Sequence, residues 1–574
     1  MRLLDSRRLT GPNLLLDTPG AILDVEVDPA EAPRLESAWR ASLSEFLATL
    51  GWRAEPLASR GYSHGLQLAF GAPADVLYAA TEVAEAAWGE ASARLADTPL
   101  PDRASALAAL RASIEEERKP WLLALLAEAS RRGVTLLADD KRISVGLGAG
   151  SSSWPAEESM EAIPHIPWAR IRDVPTILVT GTNGKTTTTR LLGAMVEAAG
   201  QVAGVTSTDS VIIGGEIVAE GDYSGPNGAR TVLRDRRVDV GVLEVARGGI
   251  LRRGLPLPHA TAAIVTNVAN DHLGEYGIED LPGLADAKMV VAKAVGAKGR
   301  VVLNADDPLL LERGLRLAAP VTWFTLESRH PTVAGHLARG GDACLLEGET
   351  LVFARGAERT ALASVAEIPI AFAGAARHNV ANALAAAGGA WALGLPASAI
   401  ANVLTTFASD PIQNPGRANV WKVGGATFFL DFAHNPHGMR ALAGMMAAIP
   451  ATRRGLVIGQ AGDRDDESIR DLARGAWTMR PDRVFVKELE SYLRGRERGV
   501  VPKILCDEFR AAGAGDAALS RHESELDAVR SALDWARPGD VILLTVHENR
   551  SEVMARLDEA ARGEAELKRA ASSG

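Results

Sequence analysis

Pro175–Thr189 reads PTILVTGTNGKTTTT. An apolar, β-branched run, Thr176–Thr180, turns through Gly181-Thr182-Asn183-Gly184-Lys185-Thr186 into a helical stretch expected over Thr187–Ala199. Glycines let a backbone fold tightly enough for its amides to face a polyphosphate, and the following helix N-terminus adds partial positive charge. In that arrangement Lys185 reaches the β- and γ-phosphates and the Thr186 hydroxyl ligates Mg²⁺. The strict G-x-x-x-x-G-K-[ST] formula is not met, because Val179 stands at its first glycine. The strand–loop–helix context carries the assignment instead. Gly181, Thr182, Asn183, Gly184, Lys185, Thr186 and Thr187 are therefore the expected ATP-contacting segment.

Working outward, the same grammar recurs. Val238–Val245, Ala262–Asn267 and Val301–Asn304 are apolar runs separated by helical segments. Such alternation predicts a parallel sheet covered on both faces, here a P-loop α/β domain over 161–415. Thr427–Asp431, Gly455–Gly459, Arg483–Lys487 and Asp540–Val546 repeat it in a smaller, Rossmann-like domain over 416–574, ending in a terminal helix after Arg556. Residues 1–160 mix strands near Ala21–Val27 and Gly65–Phe70 with amphipathic helices, an α+β domain suited to acceptor binding or oligomerisation. Gly146–Pro155, GLGAGSSSWP, reads as a linker or mobile loop. The Glu115–Glu117 run reads as a solvated helix face.

The 574 residues suggest three or four domains, and a hydrophobic fraction of 47% with 23% charged residues is that of a globular protein. A net charge of −10 without a basic stripe argues against a nucleic-acid partner. Two unrelated cysteines, Cys344 and Cys506, fit a reducing compartment. The apolar run Leu14–Leu16 is too short for a signal-peptide core and no stretch reads as a membrane span, so the expected location is cytoplasmic. His64, Glu82 and Glu85 read as scattered surface groups, not a metal site.

Three further positions bear on chemistry. Glu244 ends an apolar strand, where ligands of open α/β sheets collect, so its carboxylate either reaches a phosphate-held metal or pairs with Arg247. His272 follows the next strand, in Asn270-Asp271-His272, where a histidine is either a metal ligand or a capping group. Lys288, in Ala285-Asp286-Ala287-Lys288, lies on a helix beginning near Asp280 and by itself reads as solvated.

GTNGKTTTT, the strand-end Glu244, NDHL, ADAK, NADDP, RHNVANALAA, NPGR and DFAHNP occur in the order found in Mur ligases, and the chain resembles that family. Leu243–Leu255 (LEVARGGILRRGL), Asn267–Gly274 (NVANDHLG), Asn414–Asn419 (NPGRAN) and Ser491–Pro502 (SYLRGRERGVVP) resemble more closely the Mur-ligase portion of cyanophycin synthetases. Arg8–Leu15 (RLTGPNLL) is more weakly similar to the N-terminal domain of those enzymes, but no ATP-grasp domain separates the two parts here.

The resemblance implies an ATP-dependent amide ligase: an acceptor carboxylate becomes an acyl phosphate and is joined to an amino-acid amine. It implies ATP and Mg²⁺, with two metals, as cofactors. Thr186 and Glu244 would hold the first metal, and His272 the second together with Lys288 as a carbamylated lysine. Asn379 or Asn382 would face adenine, Arg417 the γ-phosphate, Asp431 the ribose, and His434 the reacting phosphate or acceptor. Lys185, Lys288, Arg417 and His434 are thus the expected catalytic set. Asp463 and Arg464, in the loop Gly462–Asp466, and Arg494 and Arg496 are either substrate contacts or surface charges. The family's late glycine-lysine-glycine-histidine-glutamate motif is reduced to Val546-His547-Glu548. A cell-wall precursor, a polyglutamyl chain or a small metabolite remain alternative substrates. So does a nucleotide-binding scaffold for a separate ATP-grasp ligase, and a homo-oligomer is compatible with the N-terminal domain.

Overall fold

Continuous apolar strands bury themselves between helices, and that rule organises most of the chain. The computed structural model describes residues 1–52 and 56–572, with side chains as far as Gly563. An eleven-stranded sheet occupies the centre. In it β1 (Thr176–Thr180) leads through the glycine loop into α1 (Lys185–Ala198). β2 (Val240–Glu244), followed by the short helix α2 (Arg247–Arg253), and β3 (Ala260–Val265) flank β1 and run parallel to it. Ile177 sits in register with both Val242 and Ala262. α3 (Leu281–Met289) follows β3, and α4 (Arg377–Ala392) packs with α1 over one face of the sheet. Leu178, Leu243 and Val265 point into the core on the other face. Antiparallel pairs close both edges of the sheet.

The C-terminal sheet has six strands: Asn419–Val423, β4 (Ala426–Asp431), Val541–Thr545, Arg454–Ile458, Arg483–Lys487 and Leu519–His522, in that spatial order. Only its first pair is antiparallel. At the other end of the chain, a four-stranded antiparallel sheet carries the helices Ala32–Leu50 and Leu77–Leu95 on a core that includes Trp39 and Phe46. Among the described residues no helix is long and apolar enough to cross a membrane.

Two local expectations change. Gly146–Pro155 is not a free linker: Ser152–Pro155 is the edge strand of a three-stranded antiparallel sheet. Gly148, at φ +53°, brings its Cα so close to Val238 that a Cβ would lie 2.4 Å from the Val238 carbonyl oxygen. A composition read as flexible is a requirement for close approach. Glu117 is also more than a solvated charge, since its carboxylate accepts from the Tyr78 and Ala79 amides at 3.0 and 2.8 Å, capping the helix Leu77–Leu95.

The N-terminal domain is fastened to the central one. The Thr10 amide donates to the Arg253 carbonyl and the Leu255 amide to the Pro12 carbonyl, both at 2.7 Å. Arg60 donates to the Gly277 carbonyl at 2.9 Å, and Arg234 reaches back to Asp139 at 2.6 Å. The strand Arg2–Leu9 therefore lies alongside α2.

Candidate active site

β1 ends at the centre of the sheet, so the glycine loop emerges where the carboxyl ends of β2 and β3 also open. Helix α1 begins at Lys185, two residues earlier than its sequence suggests, with Gly184 at φ +83° as its N-terminal neighbour. The loop is clamped from the β3 side. Thr182 donates its amide to the Asn267 carbonyl at 2.9 Å, Asn183 its amide to the Asn267 side chain at 3.0 Å, and Thr266 its hydroxyl to the Asn183 carbonyl at 2.6 Å. Lys185 folds back over the turn, its Nζ 3.2 and 3.0 Å from the Gly181 and Thr182 carbonyls. Thr187 is buried beneath, accepting from Asn414 at 3.4 Å.

Glu244 does not pair with Arg247. Its Oε2 accepts from the Thr186 hydroxyl at 2.9 Å, whereas Arg247 turns away to Glu275 and the His272 carbonyl. Oε1 is buried without a hydrogen-bond partner among the described residues. Burial pushes the Glu244 carboxyl up, opposed by the charge of Lys185 and the Thr186 hydrogen bond. A carboxylate with one spare oxygen beside a threonine hydroxyl is a ligand pair that a hard cation would complete with phosphate oxygens. Among the described residues no cluster of three or more His, Cys, Asp or Glu could hold a metal by itself.

The C-terminal domain closes over this loop. Arg417 stands 3.4 Å from the Thr186 hydroxyl and 3.6 Å from Asp209, while Arg550 pairs with the other oxygen of Asp209 at 2.6 Å. Burial alone would raise Asp209; Arg417, Arg550 and Arg190 hold it below the usual carboxylate range. Asn183 and Asn435 exchange side-chain hydrogen bonds at 3.1 and 2.9 Å, and His437 lies 3.0 Å from the Asn183 amide. Sequence reading passed over Asp209, Asn267, Asn435, His437 and Arg550. Asn267 and Asn435 stand inside quoted motifs, but only folding shows what they touch.

Two cavities share this cleft. The first, about 850 Å³, is lined by the glycine loop, Asp307, Asn379, Asn382, Arg417, Asp431 and His434. Asn382 donates to Asn379, which donates to the Ile370 carbonyl at 2.9 Å, so the pair is pinned against Gly184 instead of hanging free. Asp431 spends both oxygens on the Ala418 and Ala433 amides at 2.8 Å, shaping the β4 turn that presents His434. Burial raises its carboxyl.

The second cavity, about 1080 Å³, is lined by Lys185 again, with Asp271, His272, Lys288, His434, Asp463, Arg464 and Arg494. His272, at φ +54°, has Nδ1 3.0 Å from Glu275 and Nε2 2.8 Å from the Arg464 guanidinium, which crosses from the C-terminal domain. Burial lowers His272. Burial would raise the largely enclosed Asp271, yet the charges of His434, 3.7 Å away, His272 and Arg464 keep it well below the usual range. Its Oδ1 makes no hydrogen bond among the described residues. Lys288 is not solvated: it is only 4% exposed, and burial, reinforced by Lys185 and Arg247, drives its amine well down.

The candidate substrate contacts divide. Arg494 pairs with Asp463 and lies over the Tyr492 ring, 5.1 Å from its centroid. Arg496 works behind the loop, bonded to the Gly462 carbonyl at 2.8 Å and to Asp466 at 2.6 Å, and does not line the cavity. The reduced late motif is held by Glu525, which accepts from the His547, Glu548 and Asn549 amides at 2.8, 3.1 and 2.6 Å and from the buried Lys487.

A Mur ligase middle-domain model matches residues 179–390, and a Mur ligase, glutamate ligase domain model matches residues 416–546. The cyanophycin synthetase of Synechocystis sp. is 37% identical over 371 residues, covering 65% of this chain and 42% of that protein. That of Geminocystis herdmanii is 36% identical over the same length. The chain thus spans about two fifths of these relatives, 42% of each. The UDP-N-acetylmuramoyl-L-alanyl-D-glutamate–2,6-diaminopimelate ligase of Chlorobaculum tepidum is 30% identical over 380 residues, covering 64% of this chain and 70% of that one. Among solved structures, E. coli FolC in complex with DHPP and ADP aligns with a TM-score of 0.49 at 20% identity, over 67% of this chain and 89% of that one.

Proposed function

The chain belongs to the Mur ligase family of ATP-dependent ligases that form carbon–nitrogen bonds, and from that premise we propose that it converts an acceptor carboxylate into an acyl phosphate and joins it to an amino-acid amine. The product is a peptide or isopeptide bond, made in the manner of the cyanophycin synthetases. The observation that carries this reading is Lys185, which lines both cavities. A nucleotide in the first and an acceptor in the second would meet at its ammonium.

ATP lies along Gly181–Thr187, its base toward Asn379 or Asn382 and its ribose toward Asp431. The acceptor carboxylate, in the second cavity, attacks the γ-phosphorus; a bond from its oxygen forms as the bond to ADP breaks. Lys185 and Arg417 neutralise the moving charge, which is the principal demand of phosphoryl transfer. The amine nitrogen then attacks the acyl carbon, loses a proton, and phosphate departs. His434, which faces both cavities and Asp271, is positioned beside the reacting groups. Asp463, Arg464 and Arg494 border the incoming amino acid, with Arg496 bracing their loop. The Asn183–Asn435, Asp209–Arg550 and His272–Arg464 contacts shut the cleft against water, which would hydrolyse the acyl phosphate.

Mg²⁺ fits the residues present. Thr186 and the unpartnered oxygen of Glu244 would hold one ion; His272 with a carbamylated Lys288 would hold a second once the imidazole gives up its contact with Arg464. Divalent ions there supply charge neutralisation and Lewis acidity toward phosphoryl oxygens. Lys288 suits a carbamate: burial, with the charges of Lys185 and Arg247, drives its amine well down, and the anion formed by adding CO₂ with loss of a proton would be drawn to those same cations.

A phosphate-release screen of the twenty amino acids against aspartate-, glutamate- and peptidoglycan-type acceptors tests the reading. Amino-acid-dependent ADP formation is expected, abolished by Lys185→Ala. Near-normal turnover by that variant would sink it, and nucleotide binding without ADP from any pair would leave a scaffold role. A cell-wall or polyglutamyl acceptor would keep the mechanism and change the substrate.

A further inference from the structure

We propose that the second cavity contains, besides Lys185, an anion subsite built jointly by the N-terminal domain and α2, which takes a further carboxylate or phosphate group of the acceptor. The proposal rests on the ligase reading, because it assigns part of that reaction's acceptor.

The observation is an imbalance of charge inside a chain whose net charge is −10. Of the seven arginines around the second cavity, three have close acidic partners: Arg247 has Glu275, Arg464 has Asp271 at 3.5 Å, and Arg494 has Asp463. Arg8, Arg252 and Arg253 line the same cavity, and among the described residues none of them has a carboxylate within 4.0 Å. Arg230, their neighbour, is 3.9 Å from Asp139, but that carboxylate is already committed to Arg234 at 2.6 Å and to the Lys141 and Arg142 amides. Burial and then the charges of Arg8 and Arg252 push the Arg253 guanidinium down, and burial followed by Arg234 and Arg8 does the same to Arg230.

Uncompensated like charges brought together in a partly desolvated cleft are unfavourable unless an anion joins them. A guanidinium matches carboxylate and phosphate oxygens two at a time, so these side chains define the class of ligand. The wall that carries them is also preorganised. Arg8 lies over the Tyr78 ring, 3.7 Å from its centroid, which fixes the plane of its fork. The strand bearing Arg8 and the end of α2 bearing Arg253 are joined by the Thr10 amide on the Arg253 carbonyl at 2.7 Å. The cavity's volume of about 1080 Å³ exceeds what one amino acid needs and suits an extended acceptor. The acceptor therefore presents its reacting carboxyl to Lys185 and a second anionic group to Arg8, Arg252 and Arg253.

The test uses the full chain with its phosphate loop filled by Mg·AMP-PNP, so that anions cannot bind there. Calorimetric titration compares tetra-L-aspartate, inorganic pyrophosphate and tetra-L-arginine. Binding of either anion is expected, weakened at least about tenfold in Arg8→Gln/Arg253→Gln, since a lost hydrogen bond to a charged group has about that effect. Arg8→Lys/Arg253→Lys should recover part of it. Arg252→Gln, an exposed helix-end change, gives a second readout that does not touch folding, and melting curves verify the others. Tetra-aspartate alone would indicate a carboxylate chain, pyrophosphate alone a phosphorylated acceptor. Equal anion affinity in the glutamine variants, no binding of either anion, or preference for tetra-arginine would overturn the subsite and leave the ligase reading standing. Failure of the wild type to bind AMP-PNP would strike the ligase reading instead.

Discussion

Gly184→Ala isolates the geometry on which nucleotide binding depends. Gly184 holds φ +83°, and a Cβ built there lies 2.1 Å from Asn382 Oδ1, where real contacts essentially never fall below 3.0 Å. Asn382 cannot simply swing aside, because it is tied to Asn379 and through it to the Ile370 carbonyl. The loop must therefore shift by roughly 0.9 Å, the difference between those separations, at the residue preceding Lys185. Left-handed backbone adds about 1–2 kcal/mol for a residue with a Cβ. A displacement near 1 Å at a reacting centre lowers turnover on the order of 10²-fold. Gly200→Ala is the matched control: its φ is +79° with nothing within 4 Å of the added carbon, so it carries the backbone cost without intruding on the loop. Calorimetric affinity for Mg·AMP-PNP, ADP formation and melting temperature are measured on both. Both variants should melt lower, and only Gly184→Ala should lose nucleotide affinity and turnover. Wild-type affinity and rate in Gly184→Ala, or equal losses in the two variants, would refute the placement of the phosphates on this turn.

Lys288→Ala should stop turnover, and short carboxylic acids such as acetate should partly restore it by replacing the carbamate; unchanged activity would remove Lys288 from the site. Asp209 ties the central domain to Arg417 and Arg550, and its carboxyl lies below its ordinary value in the closed protein. Its contribution is then complete above the ordinary carboxylate range and is lost as pH falls through the lowered value. Small-angle scattering should show the wild type opening on acidification and Asp209→Asn already open at neutral pH; identical profiles would remove the latch. Lys487→Met leaves Glu525 buried without its cation and should cost about 3–5 kcal/mol in denaturant unfolding, against little change if the three amides on Glu525 suffice.

The closing contacts show how the sequence and the fold divide the information. The glycine loop was readable because every requirement it meets is local: a buried strand, two glycines with positive φ, and a helix start occupy one continuous stretch. The alternating apolar runs likewise implied covered parallel sheets, since burial on both faces imposes itself on each strand separately. Gly146–Pro155 misled because glycine serves flexibility and close approach alike, and only the Val238 carbonyl distinguishes them.

What the tertiary structure decided is who meets whom. Asn183 and Asn435 are 252 residues apart, Arg464 and His272 192, and Arg550 and Asp209 341, and no periodicity links positions so distant. Lys288 looked solvated among alanines, yet lies buried beside Lys185 and Asp271. Arg8 stood in a stretch of weak resemblance with no role attached until its strand came to rest against α2. A chain specifies its own turns and buried faces residue by residue, but a charge acquires its meaning from the groups that folding places within a few ångströms of it.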